Sequence, residues 1–334
     1  MLLSAYLRFK ICWRATWPLW ISLLCMTSAS AAAPLAKESQ TVLRVGVASR
    51  LGQDLWFKAS GEDQHLPYTV QWVNFDAAPP AMDALLADSI DTFWGGDTPA
   101  VFLAYNQRDA KVVAASEKGL FGALLVAKDS PITTVEQLKG KKIAVYRGSG
   151  FHNSLLSILQ DHGLSADDVQ LSYLAPAEGL AALTQGRVAA WGIWDPNAAI
   201  AEKTFGARIL ATPRTFSLGL QFASQKTLAD RGKSQALQDF LLRSYRATAW
   251  LRAHPQRWAE LQAKEANISP DVARLAASRV GGQFVPIDAG LDKAVQTIAD
   301  NFYRLGIIDH ATDVSPVFDA RYTAFLQQRL LEKK

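Results

Sequence analysis

Ile143-Ala144-Val145-Tyr146-Arg147-Gly148-Ser149-Gly150-Phe151-His152-Asn153 joins an apolar strand to the start of a helix through a turn holding two glycines. The glycines let the backbone turn tightly, and the first N–H groups of the helix, with the positive end of its dipole, form an anion site. Ser149 and Asn153 add neutral donors, and His152 adds a donor or a charge. The other reading of the same turn is a plain helix cap at Ser149.

Outward from this turn the pattern repeats. Upstream, residues 122–128 read as a strand and 135–142 as a short helix closed by glycine. Downstream, 169–173, 178–185 and 189–194 read as strand, helix and strand, with further strands at 208–210 and, last, 220–223. Closer to the N-terminus, strands at 42–47, 68–73 and 90–94 alternate with helices at 54–60, 78–87 and 99–107. After residue 223 the pattern changes to long helices at 234–254, 255–266, 270–280 and 289–305, in which Trp250 and Trp258 fall at spacings that suit packing. Two βα series followed by helices predict an α/β architecture of two lobes with a ligand cleft between them.

Two more turns resemble the first. Gly95-Gly96-Asp97-Thr98-Pro99 follows a strand and opens a helix, so its N–H groups and the Thr98 hydroxyl face the cleft unless Asp97 simply caps its own helix. In Trp191-Gly192-Ile193-Trp194-Asp195-Pro196-Asn197, alternation puts Trp191 and Ile193 on one face of a strand and Gly192 and Trp194 on the other. Asp195 is placed to cap a helix with Pro196 in its first position. Indole rings beside such a turn can cover the aliphatic part of a ligand whose head is held by polar groups.

Composition narrows the function. The 334 residues are 49% apolar, with 35 Lys and Arg against 31 Asp and Glu and two cysteines. That excludes a disordered chain, and a mean hydropathy near zero excludes a polytopic membrane protein. The surplus of +4 is concentrated at the N-terminus. Arg8, Lys10 and Arg14 precede an apolar run over 15–26 and small residues ending in Ala29-Ser30-Ala31, the layout of a secretory signal peptide over 1–31, with a linker over 32–40. Leu24 before Cys25 does not fit a lipoprotein box. Removal of 1–31 leaves 32 basic and 31 acidic residues, a net of +1, and takes away Cys12 and Cys25, the only cysteines. A near-neutral, thiol-free chain suits an oxidising exported compartment and gives no reason to expect a nucleic-acid partner.

Catalytic signatures are missing: no phosphate loop with Gly-Lys-Ser/Thr, no serine elbow, and five histidines (His65, His152, His162, His254, His310) without metal-ligand spacing. No metal or cofactor is expected.

The 135–145 segment, the Gly-Ser loop with His152, Leu174-Ala175-Pro176-Ala177-Glu178 and the run from Trp191 to Pro196 occur in the order seen in periplasmic aliphatic-sulfonate-binding proteins, which this chain resembles over about residues 41–310. The wider group includes taurine- and nitrate-binding receptors of ABC importers. The resemblance implies a type II periplasmic-binding-protein fold, with lobe I over 41–121 and 224–334, lobe II over 122–223, and two hinge strands near 122–126 and 220–223. It implies a monomeric receptor for a small organic anion, a sulfonate or alternatively taurine, nitrate or a sulfate ester, which it delivers to a membrane permease with its ATPase. Ligand contacts carry over to Gly96, Asp97 and Thr98 in the first lobe, and to Ser149, Gly150, His152, Asn153, Trp191, Trp194 and Asp195 in the second. Alternatives are an enzyme on the same fold, like pyrimidine-precursor synthases, with His152 as its reactive group, and a sensory receptor for the same anions. The chain departs from the family at Gly46-Val47-Ala48, where Gly-Tyr-Gln is usual, at Phe93-Trp94, at Ala100 and at Asn197. Trp94 is therefore expected to reshape the pocket, filling it or stacking on a flat ligand.

Overall fold

The computed structural model describes residues 41–49, 51–117, 122–213 and 218–332. The expected signal peptide and linker lie outside the described residues. The first sheet forms from β1 (Val42–Val47), β2 (Thr69–Asn74), β3 (Thr92–Gly96) and β4 (Ala110–Glu117). Between these strands run α1 (Gln53–Ser60), α2 (Ala78–Leu86) and α3 (Thr98–Tyr105).

The chain then builds a second sheet from β5 (Gly122–Val126), β6 (Lys142–Val145), β7 (Gln170–Tyr173), β8 (Ala190–Trp194) and β9 (Arg208–Ala211). Its helices are α4 (Gly150–Asp161), α5 (Pro176–Thr184) and α6 (Asn197–Phe205). It returns through β10 (Leu218–Ser224), α7 (Gln225–Ala229), α8 (Arg231–Ala253), α9 (Pro255–Glu265), α10 (Pro270–Ser278), β11 (Gln283–Val285), α11 (Ala289–Arg304) and α12 (Thr323–Leu331).

The two sheets share one plan. In the six-stranded sheet, β1 pairs in parallel with β2 and β3, and β10 runs antiparallel beside β3. In the five-stranded sheet, β6 pairs in parallel with β7 and β8, and β5 runs antiparallel beside β8. In each, the strand order reverses at the strand flanked by two parallel neighbours, β1 in the first sheet and β6 in the second. Ligands bind at such switch points, outside the carboxyl ends of the parallel strands, because the loops there part to opposite faces and leave a crevice.

Several elements differ from the sequence reading. β4 was not expected: Ala114 and Ala115 do not look like a strand, yet β4 lies inside the sheet, with β10 on one side and the edge strand β11 on the other. β11, rather than 220–223, is the last strand, and α12 adds a final helix. The 220–223 segment, placed in the second lobe by the sequence, pairs with β3 and β4 in the first sheet.

Packing across the chain is tight. Asp91, 1% exposed, accepts hydrogen bonds from the Arg44 backbone and guanidinium, the Thr227 hydroxyl and the Lys233 ammonium, tying β1 to the helices after β10. Leu156 of α4 is buried in the same apolar cluster as Val101 of α3 and Phe302 of α11. Ala199 of α6 packs with Val272 and Ala276 of α10. The two βα bodies therefore touch along two helix pairs, and the crevice lies where their strand ends meet.

Candidate functional site

A cavity of about 190 Å³ opens at the carboxyl ends of β1, β3 and β8 and at the turn after β6. Gly46 to Ser49, Trp94 to Gly96, Ser149, Gly150, Trp194 and Asp195 face it from the strand ends, and residues of α1, α9 and α10 close it.

The turn after β6 leaves the start of α4 without a side-chain cap. Gly148 takes a φ of +76°, a left-handed conformation suited to glycine. Ser149 precedes α4 but does not cap it with its side chain; its Oγ donates to the Tyr146 carbonyl at 2.8 Å. The first-turn N–H groups of α4 thus have no side-chain cap, and the simple capping alternative for Ser149 does not hold. Gly150 comes so close to the other turn that a Cβ placed on it would sit 3.2 Å from the Gly96 Cα.

On the β3 side the outcome is the reverse. The Asp97 carboxylate accepts from the Thr98 N–H at 2.8 Å and from the Leu218 N–H at 3.2 Å, so Asp97 caps α3 and pins the turn to β10. Asp97 and Thr98 are buried behind the cavity wall, and the wall itself is the backbone of Gly95 and Gly96. Among the turn's expected contacts, Gly96 reaches the cavity while Asp97 and Thr98 support it from behind.

Strand alternation sorts the tryptophans as expected, with one consequence the resemblance did not carry. Trp194 lines the cavity, whereas Trp191 is fully buried on the opposite face, in the cluster with Leu125, Leu183 and Ile193. Trp191 is a core residue, not a wall of the cleft. Trp94 does line the cavity; it packs edge-on against Trp56 at 6.2 Å between ring centroids. Its ring lies over Gly219, where a Cβ would come 2.1 Å from Trp94 Cζ2.

His152 is also corrected. It is fully buried away from the cavity, between the rings of Tyr173 and Phe302, each 5.6 Å away. Its Nδ1 accepts weakly from the Gly148 N–H at 3.4 Å, and its Nε2 has no partner among the described residues. Burial, helped by nearby Arg147, pushes its pKa down to about 4, so it is neutral near neutral pH. It offers the cleft neither charge nor donor, and the enzymatic alternative loses the residue that motivated it. Asn153 is half-buried and outside the lining.

Asp195 reaches the cavity and accepts the Ala199 N–H at 3.0 Å. α6 starts at Asn197, so Pro196 stands at the cap rather than in the first helical position. The partner of Asp195 could not be foreseen. Arg279, just past α10, binds Asp195 with Nη1 at 3.2 Å and Glu202 with Nη2 at 2.8 Å. Burial pushes the Asp195 carboxyl up to about 7 against the pull of Arg279. Trp258, read from its spacing as a packing residue, also lines the cavity, and Arg279, Trp56, Gln262 and Gln53, which line it too, were not singled out from sequence. Only the Gly281-Gly282 pair beside Arg279 marks the region locally; the rest look like ordinary helix residues.

Chemically, the cavity is an aromatic chamber with peptide N–H groups at one side and a guanidinium already shared by two carboxylates at another. It suits a small anion with an apolar body. Among the described residues, no group of three or more His, Cys, Asp or Glu is placed to hold a metal, and no helix is long and apolar enough to cross a membrane.

Comparison with known proteins gives the family and the fold. Residues 97–258 match the family described as NMT1/THI5 like. A protein of Escherichia coli (strain K12) named for aliphatic-sulfonate binding is 31% identical over 299 residues, 88% of this chain and 93% of its own length. The alkanesulfonate-binding protein SsuA from Xanthomonas axonopodis pv. citri, solved bound to MOPS, superposes with a TM-score of 0.76 at 29% identity, covering 84% of this chain and 98% of that one. The periplasmic aliphatic sulphonate binding protein SsuA from Escherichia coli gives 0.73 at 29% identity, covering 86% and 100%. The two mixed sheets are thus those of the type II periplasmic-binding-protein fold.

Proposed function

The chain belongs to the aliphatic-sulfonate-binding protein family, and from that premise we propose that it is the periplasmic receptor of an ABC importer, binding an alkyl or aryl sulfonate between two lobes and handing it to the permease. The proposed lobes are 41–117 with 218–332, and 122–213. Export is by the leader over 1–31.

The approach of Gly150 to Gly96 carries this reading. It brings the uncapped start of α4 against the glycine backbone of β3 at the edge of an aromatic cavity. A sulfonate is permanently ionised and tetrahedral at its head, so several neutral N–H donors suit it without a dedicated arginine. Gly150 and Gly96 are proposed to hold the head, with Ser149, whose N–H and Oγ both bond the Tyr146 carbonyl, shaping the turn beside them, and Trp94 and Trp194 to cover the body. MOPS, which occupies the related Xanthomonas protein, is itself a sulfonate with a bulky tail, and it supports a ligand larger than taurine.

Calorimetry with alkyl- and arylsulfonates, taurine, nitrate and a sulfate ester tests the proposal. Micromolar or tighter binding of a sulfonate, with weak or absent nitrate binding, is the expected result. A folded protein that binds none of them overturns it.

A further inference from the structure

Helix α9 puts into the cavity lining two polar side chains with atoms that have no hydrogen-bond partner among the described residues. Trp258 is 1% exposed and Gln262 is fully buried. The Trp258 indole N–H and both amide atoms of Gln262 lack a hydrogen bond among the described residues. They stand four positions apart, on one face of one helix. Both belong to the same cavity as Gly96 and Gly150.

Trp258 packs in an apolar cluster with Leu51, Leu55, Trp56, Leu251 and Ala273, and the lining holds one further unpaired polar atom among the described residues, Gln53 Oε1, which can only accept. Arg279, in the same lining, spends its terminal nitrogens on Asp195 and Glu202. Buried polar groups are nearly always paired, and filling space alone would be done at less expense by leucine and phenylalanine.

The aromatic wall connects this pair to the glycine turns. Trp94 lies two residues before Gly96 on β3, it meets Trp56 edge-on at 6.2 Å, and Trp56 packs in the cluster of Trp258. A ligand with its head at Gly96 and Gly150 and its body along Trp94 and Trp56 would bring its far end to α9. The lining does not favour a second anionic group, since Arg279 is already engaged by Asp195 and Glu202, and Glu117 also lines the cavity. The indole N–H can only donate, and the amide can donate and accept. A neutral oxygen fits both.

Resting on the sulfonate reading above, we propose that Trp258 and Gln262 form a second recognition point, selecting sulfonates whose far end carries a neutral hydrogen-bond acceptor such as an ether or hydroxyl oxygen. Plain alkanesulfonates of equal length leave these groups unpaired and are discriminated against.

The test compares hexane-1-sulfonate with 4-methoxybutane-1-sulfonate, which have equal chain length, on the wild-type protein and on Gln262→Leu and Trp258→Phe by calorimetry. In each variant the affinity ratio is expected to shift toward hexanesulfonate by about fivefold, the worth of one hydrogen bond. The ligand-free Gln262→Leu protein should melt at or above the wild-type temperature, because it loses an unpaired buried amide. An unchanged ratio in both variants overturns the subsite while leaving the sulfonate reading intact, and so does a lowered melting temperature of ligand-free Gln262→Leu, which reveals an internal partner. Failure of the folded wild type to bind either sulfonate overturns both.

Discussion

Arg279, at the end of α10, bonds Asp195 at the end of β8 with Nη1 3.2 Å from Oδ1, although the two residues belong to helices and strands of different βα bodies. Glu202 on α6 holds the other terminal nitrogen at 2.8 Å. Removing the guanidinium strands two carboxylates in a largely buried place. Arg279→Ala is expected to destabilise the protein by about 3 kcal/mol in denaturant titration. Arg279→Lys should recover only part, because one ammonium cannot reproduce the planar fork that spans both carboxylates.

The same contact has a pH signature. With Asp195 held up to about 7 chiefly by burial, the folded chain keeps a proton that the unfolded chain loses near the ordinary carboxylate value. The contribution of this group is therefore greatest in acid and declines as pH rises toward about 7, above which it is level. Asp195→Asn keeps the shape and removes the titration. Its melting temperature, relative to wild type, should rise across that interval.

His152 titrates with the opposite sign. Burial holds it neutral down to about 4 in the folded chain, while the unfolded chain takes up a proton below about 6.5. Stability from this residue is present above the unfolded value and is lost as pH falls toward 4. His152→Leu should narrow the gap between melting temperatures measured at about pH 7 and about pH 5. An unchanged gap would mean that the imidazole is not held neutral.

Gly150 tests the meeting of the two turns. A side chain there runs into the Gly96 backbone, which cannot swing aside as a flexible side chain can. Gly150→Val is expected to weaken sulfonate binding by about tenfold or more. Small-angle scattering should then find a larger radius with ligand present than in wild type.

The two tryptophans of β8 should separate stability from binding. Trp191 is core, and its replacement by Ala should cost about 3–5 kcal/mol of stability. Trp194 faces the cavity, and Trp194→Ala should instead weaken ligand binding by about 1–3 kcal/mol. Equal effects on both measurements would contradict the assignment of faces.

Much of the molecule was legible in the order of residues. Strand, glycine turn and helix start are local features, set by alternation, by the need for a left-handed residue at Gly148 and by helix-capping chemistry. The period of two in Trp191 to Trp194 correctly separated the faces of β8. Those signals identified the α/β plan and the two turns that flank the cavity, while the family came from the resemblance carried by the order of the motifs over 135–196. β4 escaped because a strand paired on both sides is defined by its neighbours, and Ala114 and Ala115 become strand residues by pairing with β10.

Which groups face the ligand was decided by the tertiary structure. His152 and Asn153 lie beside Ser149 and Gly150 in sequence, yet the turn of α4 carries His152 into the contact with Phe302 and leaves Asn153 outside the lining. Asp97, free in sequence to contact a ligand, is used up by Thr98 and Leu218. Arg279 stands 84 positions from Asp195, and Trp258 and Gln262 sit in helices that read as packing elements. A sequence records which residues can turn, cap or pair within a few positions. The charge and hydrogen-bonding balance of a cleft depends on which distant side chains burial leaves satisfied or unsatisfied, and only the packed chain settles that.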